Sequence, residues 1–71
     1  MANLRDKKTG TILENVAENE VNDMVMSGRY GFLAGFDEKV FLKGSRGEPF
    51  VSRGDLAESY VRDGTFTYAT P

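Results

Sequence analysis

The sequence predicts a small α+β domain of two tandem ββαβ units, with short helices packed on an antiparallel or mixed sheet. Three observations predict it. Glycine-containing turns divide the chain, strand-like and helix-like apolar periods alternate, and the same order of signals occurs twice. With 71 residues the chain suits a single domain, residues 1–71. The first unit is expected over about residues 3–34 and the second over about residues 39–70.

Each unit is expected to open with a β-hairpin. The strands carry apolar or β-branched residues, and a polar turn that ends in glycine separates them. The predicted strands cover residues 3–6 and 11–16 in the first unit and residues 38–43 and 48–51 in the second. The turns end at Gly10 and Gly47. Pro49 is expected at the start or the edge of its strand, because it has no N–H to donate to a ladder.

Each hairpin is followed by a predicted helix. Val21, Met24 and Val25 have the i, i+3, i+4 spacing of one helix face. The apolar face of the second helix comprises Leu56, Ala57, Tyr60 and Val61. Ser52 with Asp55 three residues later predicts a capping box at the start of the second helix.

A glycine and a short aromatic strand close each unit. Gly28 and Gly64 follow the apolar helix faces and are predicted to adopt positive φ as the residues that end the helices. The closing strands alternate aromatic residues on one side, Tyr30 and Phe32 in the first unit and Phe66 and Tyr68 in the second. We expect these aromatics to lie mainly in the core.

The two halves can be aligned throughout. The aligned pairs are Gly10 with Gly47, Leu13 with Phe50, Val16 with Val51, Val21 with Leu56, Val25 with Val61, Gly28 with Gly64, Tyr30 with Phe66 and Phe32 with Tyr68. The alignment needs a two-residue difference before Val16 and a one-residue difference inside the helix. We interpret it as a duplication, and chance similarity between two ββαβ segments stays open as the alternative. A unit of about 35 residues cannot bury its apolar face alone, so both units are expected to share a core.

The sequence predicts no catalytic, cofactor-binding or metal-binding residues. Cysteine and histidine are absent, which removes thiolate and imidazole ligands and the usual general base near neutral pH. The glycine-rich stretch GRYGFLAGF has neither a GxGxxG order nor the lysine of a P-loop. The acidic residues lie at expected helix starts and exposed helix faces, where negative charge near an N-terminus is favourable without any catalytic role.

Charge and hydropathy limit the classes of partner. Nine basic and eleven acidic residues give a net charge of −2, which argues against a general nucleic-acid binder but leaves a local basic patch open. No apolar run approaches the roughly 18 residues that would span a bilayer, so no membrane partner is expected.

Phe36, Lys8 and Arg46 are the candidate partner-binding residues. Phe36 lies between the predicted units and outside both strand alternations, so it is either a plug that closes the core or an exposed anchor. Basic residues near the hairpin turns are either solvated turn residues or a small patch for an acidic partner; they are Lys7, Lys8, Lys43, Arg46 and Arg53.

The turn and helix-exit motifs resemble a module of small bacteriophage virion-associated proteins, with a K-x-T-G turn, a V-x-x-x-x-[VAL] helix start and an S-G-x-[YF] exit. The matching residues in the first half are Lys8, Thr9, Gly10, Val16, Val21, Ser27, Gly28 and Tyr30. The second half keeps Gly47, Val51, Leu56, Gly64 and Phe66. It has Asp63 where the first half has Ser27.

The resemblance implies a non-enzymatic structural or interaction protein without a cofactor, either a capsid-decorating or a head–tail protein. Its partners would be other virion proteins in multiple copies, and it would occur in the virion and, before assembly, in the host cytoplasm. Two alternatives stay open: a soluble phage-encoded inhibitor of a host enzyme or defence protein, and a nucleic-acid-binding module.

Overall fold

The chain forms two ββαβ units in succession, as the sequence predicts. The computed structural model describes residues 1–33 and 38–69. The first unit consists of β1 (Ala2–Asp6), β2 (Ile12–Val16), α1 (Glu18–Met26) and β3 (Tyr30–Phe32). The second consists of β4 (Lys39–Lys43), β5 (Pro49–Arg53), α2 (Gly54–Arg62) and β6 (Thr67–Tyr68).

Within the described residues, each unit has its own three-stranded antiparallel sheet, with the orders β2-β1-β3 and β5-β4-β6. The central strands have matching registers: Leu4 lies opposite Leu13 and Phe32, and Leu42 lies opposite Phe50 and Tyr68. The α+β class is therefore confirmed, with antiparallel pairing in both sheets. The predicted equivalence of Leu13 with Phe50 is also correct, as is that of Phe32 with Tyr68.

The hairpins of the two units differ in length at two places. The first turn, residues 7–10, is one residue longer than the second, residues 45–47, when each is counted between its closing backbone hydrogen bonds. β2 also carries a bulge at Asn15, whose φ is 55°, whereas β5 pairs with β4 without a shift. The N–H of Asn15 is bonded to the side-chain oxygen of Asn3 at 3.1 Å.

The two helices have the same length, nine residues each, and need no gap between them. Val21 and Val25 are the buried apolar residues of α1, and Ala57 and Val61 take the same positions in α2. The predicted pairing of Val21 with Leu56 is wrong, because Leu56 is 46% exposed and Ala57 is fully buried. Ala57 and Val61, which the sequence also placed on the apolar face, are both buried as predicted.

Two predictions about β5 are also wrong. Val51, predicted as the equivalent of the half-buried Val16, lies on the opposite face of its strand and is 49% exposed. The capping box is absent, because Ser52 is buried in β5 and its hydroxyl donates to the Arg53 carbonyl. Arg53 is the N-cap residue of α2, and no side chain caps the helix there.

The helix ends follow the prediction closely. Gly28 and Gly64 have φ values of 84° and 82°, a backbone region that suits glycine. The residue before each glycine accepts a hydrogen bond from the residue after it: Ser27 Oγ from Arg29 N at 3.3 Å, and Asp63 Oδ1 from Thr65 N at 2.9 Å. Asp63 therefore does at the second exit what Ser27 does at the first, and its hydrogen bond from Thr65 lowers the pKa of its carboxyl.

Both units contribute to a shared hydrophobic core. Its buried residues are Leu4, Val21, Val25, Phe32, Val40, Leu42, Ala57, Val61 and Tyr68. At its centre the rings of Phe32 and Tyr68, from the two closing strands, stack with their centroids 6.0 Å apart. The expectation that these aromatics belong to the core is confirmed, and Tyr30 and Phe66 pack against its margin.

The helices reach across to the closing strand of the other unit. In α1, Asn22 accepts a hydrogen bond from the backbone N–H of Tyr68 at 2.9 Å, on the edge of β6 that does not face β4. In α2, Glu58 lies against Gly31 of β3, so closely that a Cβ at residue 31 would stand 2.0 Å from its carboxylate. Glu58 occupies the same place in α2 as Asn22 does in α1, so the cross-unit contacts are reciprocal.

Candidate interaction surface

The structure places two of the three candidate binding residues. Phe36 lies outside the described residues. Lys8 and Arg46 are exposed in the turns of the first and second hairpins. The backbone N–H of Lys8 donates to Asp6 Oδ1 at 2.9 Å, and that of Arg46 donates to Glu48 Oε2 at 3.0 Å. Each turn is therefore organised by its own carboxylate, and these bonds do not join the two turns.

The other basic residues near the turns do not form a patch with Lys8 and Arg46. Lys7 makes an ion pair with Glu58 at 2.6 Å, and Arg53 makes one with Asp55 at 2.9 Å. Lys43 lies at the end of β4. The interpretation of these side chains as separate surface and turn residues therefore fits the structure better than a single basic site.

Asp6 has the most strongly shifted carboxyl pKa of the described residues. Its side chain is 7% exposed and accepts bonds from Arg29 Nε at 3.1 Å and Nη2 at 2.9 Å. It also accepts the backbone N–H groups of Lys8 and Thr9. The two bonds that Arg29 donates to Asp6 Oδ2 are the main cause that lowers the Asp6 pKa to about 2, and the same bonds raise the pKa of Arg29.

A shifted carboxyl pKa can mark a functional site, but the bonds of Asp6 have a structural purpose. Two of them fold the first turn, and the pair to Arg29 ties that turn to the exit of α1. The sequence analysis missed this role and treated Asp6 only as part of a polar turn. The signal was present, since an aspartate that opens a turn commonly accepts the N–H two residues on.

The outer face of the second sheet is the surface with the clearest binding character. It is formed by the side chains of β4, β5 and the residue after β6 that point away from α2. An apolar row crosses it from Val51 through Phe41 to Ala69, since Phe41 pairs with Val51 and accepts the N–H of Ala69 at 2.8 Å. Lys39 and Lys43 flank Phe41 along β4, one on each side of the row.

The apolar row is open to solvent among the described residues. Val51 is 49% exposed, and Phe41 and Ala69 are half-buried. A groove of about 300 Å³ runs along it and is lined by Phe41, Gly47, Pro49, Phe50, Val51 and Ala69, among others. Neither Lys39 nor Lys43 has a carboxylate within 4.0 Å in the part of the chain that the structure describes. The outer face thus combines exposed apolar area with two cations that have no carboxylate partner among the described residues.

The corresponding face of the first sheet is different. Arg5 of β1 takes the place of Lys43, with Ile12 and Gly31 as its cross-strand neighbours. Glu14 stands where Val51 stands in β5, so the apolar row is interrupted by a charge. The uninterrupted apolar row is therefore found only on the second of the two described sheets, although Ile12 on the first is 46% exposed.

Sequence reasoning treated KVFLK only as a strand. The missed signal is the alternation Lys39-x-Phe41-x-Lys43, which puts two cations and an aromatic on one face, while Val40 and Leu42 occupy the other. Because both faces of this strand carry apolar residues, the sequence alone did not show which face is covered.

None of the described helices is long and apolar enough to cross a membrane. Across residues 1–33 and 38–69, no group of three or more acidic side chains is arranged to hold a metal ion. Comparisons of the chain with protein-family models, with curated proteins and with solved structures give no significant match.

Proposed function

We propose that the chain is a non-enzymatic interaction protein that docks, through the outer face of the second sheet, on a partner protein with an acidic rim around an apolar patch. The observation that carries the proposal is the exposed apolar row of Val51, Phe41 and Ala69 between Lys39 and Lys43. Burial of the row supplies affinity, while the lysines pair with carboxylates at the rim and fix the orientation of the partner.

We propose a bacteriophage virion as the setting, with the chain as a capsid-decorating or head–tail component bound in many copies. Support comes from the turn and helix-exit motifs around Gly10 and Ser27-Gly28. A symmetric assembly repeats the same docking site many times, so a face of modest affinity is sufficient if neighbouring copies also touch.

The charge distribution favours a protein partner over a nucleic acid. The net charge is −2, and α1 carries Glu18, Glu20 and Asp23, which would repel a phosphate backbone that extended beyond the outer face. Only one aromatic ring, Phe41, lies on the outer face of the described second sheet, whereas single-stranded nucleic acids are usually held on several stacked rings.

The two carboxyls with lowered pKa have structural roles in the fold. Asp6 is occupied by Arg29 and two turn N–H groups, and Asp63 is bonded to Thr65. Neither carboxylate is free to act as a general base or nucleophile without breaking a turn or a helix exit.

The docking experiment compares a double charge reversal on the outer face of the second sheet with a single reversal in the first sheet. Lys39→Glu/Lys43→Glu reverses the rim, and Arg5→Glu reverses the residue that takes the place of Lys43 in the first sheet. The probe is purified virions of the bacteriophage that encodes the sequence, mixed with labelled chain and sedimented. We expect the double variant to bind at least about tenfold more weakly, and Arg5→Glu to remain within about twofold of the unmodified chain.

Three other outcomes are possible, and each would contradict one part of the proposal. Equal binding by all three chains removes the outer face as the docking site. An unmodified chain that does not sediment with virions, and stays soluble in infected lysate, removes the virion setting and favours the inhibitor alternative. Binding to a single-stranded oligonucleotide that is lost in Lys39→Glu/Lys43→Glu, with a steep salt dependence, replaces the protein partner by a nucleic acid.

A further inference from the structure

The exposed side of α1 carries carboxylates beside an apolar side chain. Glu20, Asp23 and Met26 are exposed and follow one another at intervals of three residues, so they are neighbours on the helix surface. Neither carboxylate has a cation within 4.0 Å in the described parts of the chain, and the last turn of α1 has no basic residue. Met26 is 57% exposed. We call this surface the acidic face of α1.

The other helix has no such surface. Leu56, Ser59 and Arg62 occupy the matching positions of α2, so α2 presents a cation there and no carboxylate. On the first sheet, Glu14 shares its outer side with Arg5, which would repel a second cation. The acidic face of α1 therefore complements the outer face of the second sheet, which has two lysines beside an apolar row.

We propose that the acidic face of α1 in one copy of the chain binds the outer face of the second sheet in another copy. The inference rests on the proposed docking function of the outer face and names one occupant of it. Asp23 pairs with Lys43 and Glu20 with Lys39. Met26 enters the apolar groove, where its sulfur can pack against an aromatic ring.

The dimensions of the two surfaces agree. Lys39 and Lys43 are four residues apart on β4, which separates their Cα atoms by about 13 Å. Glu20 and Met26 are six residues apart, about 9 Å along the helix axis. A helix that runs along β4 therefore keeps these residues within the span of the two lysines, whose flexible stems can turn toward the carboxylates.

The two surfaces of one chain cannot meet each other. α1 packs on α2, β3 and β6, whereas the outer face points away from α2. Two outer faces that met each other would set lysines against lysines. The contact is therefore head-to-tail, and each copy that binds leaves its own α1 open to the next. Because such a contact does not close on itself, copies can add in a row to one that is already docked.

The contact is expected to be weak between isolated chains. One side of a nine-residue helix buries less than the roughly 1,200 Å² of stable complexes, so we expect a dissociation constant between about 10 μM and 1 mM. Because the charged groups lie at the surface, salt should weaken the association further.

Sedimentation equilibrium of the purified chain at low ionic strength tests the contact. The mean mass should rise with concentration and exceed that of a dimer near about 1 mM. Asp23→Lys and Lys43→Glu should each raise the dissociation constant at least about tenfold. Glu14→Lys makes the same change in net charge as Asp23→Lys, outside both surfaces, and should stay within about twofold. Circular dichroism checks that each variant is folded.

The exchanged chain Asp23→Lys/Lys43→Glu separates a direct contact from an effect of net charge. It should associate within about threefold of the unmodified chain, because the attraction is restored with reversed signs. A chain that stays monomeric at about 1 mM would overturn the proposal. So would an equal loss in Glu14→Lys and Asp23→Lys, or a folded exchanged chain that does not recover.

Virion sedimentation distinguishes this inference from the docking proposal. Asp23→Lys should still bind virions, because its outer face is intact, whereas Lys43→Glu should bind them more weakly. If the lysines are needed for virion binding but the purified chain does not associate with itself, only the head-to-tail contact is wrong. If the chain associates as expected but does not bind virions, the head-to-tail contact stands and the virion setting is wrong.

Discussion

The two units share a backbone frame and stabilise it with different side chains. In the first, the buried carboxylate of Asp6 and the half-exposed side chain of Arg29 tie the hairpin turn to the exit of α1. In the second, the rings of Phe50, Tyr60 and Phe66 hold β5, α2 and the start of β6 together, with centroids 4.6 to 5.5 Å apart. The pairing at the centre of each sheet and the helix ends are nevertheless the same, although β2 has a bulge that β5 lacks. The frame therefore depends on the apolar spacing and the helix-end glycines, and the contacts that secure it can be exchanged.

The same comparison separates the surfaces. The first unit has a charge and a bulge on its outer strand, whereas the second has Val51 and an unbroken strand edge. The shared fold does not require this difference between the two surfaces. We therefore expect a specific function at the surface of the second unit. Four experiments test this difference between the units. They follow in order of decreasing expected effect.

The largest effect is expected from the leucines at the centres of the two sheets. Leu4→Ala and Leu42→Ala each remove a side chain that is almost fully buried, 0% and 2% exposed, and should each cost about 3 kcal/mol of unfolding free energy. Urea melts measure it, and Leu56→Ala, on an exposed site, should change stability by less than about 1 kcal/mol. If the two leucine variants differ by more than about 1.5 kcal/mol, the units do not contribute equally to the core.

The next effect concerns the aromatic cluster of the second unit. Phe50→Leu gives this position the residue of the first unit, Leu13, and removes ring contacts to Tyr60 and Phe66. We expect a loss of about 1–2 kcal/mol in urea melts, since aromatic pairs contribute about 0.5–1.5 kcal/mol each beyond their area. Leu13→Phe is the matched control and should bring no gain of that size, because the position of α1 that corresponds to Tyr60 is Met24 and carries no ring. A stabilised Leu13→Phe would show that the first unit can use the same contacts.

The helix-end glycines should respond alike in both units. Gly28→Ala and Gly64→Ala force a Cβ into a backbone with φ of 84° and 82°, at a cost on the order of 1 kcal/mol each. Asparagine tolerates this region better, so Gly64→Asn should lose less. Thermal melts compare the three chains. An unchanged melting temperature in both alanine variants would contradict the role of these glycines.

The smallest effect, with a pH signature, is expected from Asp6→Asn. The Arg29 bond lowers the Asp6 pKa to about 2, below its usual value of 3.8, so ionised Asp6 stabilises the fold above about pH 4. This stabilisation is lost as the pH falls toward 2. Solvent screens the pair because the Arg29 side chain is 53% exposed, which limits the effect.

Urea midpoints at pH 7, 4 and 2 measure this pH dependence. The unmodified chain and Asp6→Asn should differ most at pH 7 and should converge toward pH 2. Asp55→Asn breaks only the exposed pair with Arg53 and serves as the control with little change at any of these pH values. A constant difference between the unmodified chain and Asp6→Asn across the series would mean that the Asp6 carboxylate is not the source of the stabilisation.

Local signals predicted the order of elements and the helix ends correctly. The glycines at positions 28 and 64 and the apolar spacing of α1 determine the conformation of only a few neighbouring residues. Such local signals can be read from the sequence. The predicted apolar face of the second helix correctly included Ala57 and Val61, but it also included Leu56, which is 46% exposed. The bulge at Asn15 depends on pairing with β1, and it was not predicted from the sequence.

The candidate interaction surface was predicted less well. Its basic and aromatic residues were noticed singly or as strand formers, whereas the surface exists only once β4, β5 and Ala69 are side by side. Which face of the second sheet α2 covers depends on contacts between residues that are far apart in the sequence. The edge of β5 likewise becomes distinctive only in contrast to β2, whose register and bulge the sequence did not show.

Asn22 of α1 contacts β6, and Glu58 of α2 contacts β3. Each helix therefore covers the closing strand of the other unit. A single unit released as a separate peptide would have to recruit another peptide to cover its closing strand, so its folding would depend on concentration. Joining the units in one chain makes that step intramolecular, at an effective concentration in the millimolar range for a short linker. Two copies of one peptide would have the same sequence, whereas two units joined in one chain can have different sequences. The two halves can therefore differ in their surfaces, and Glu14 stands in the first where the exposed Val51 stands in the second.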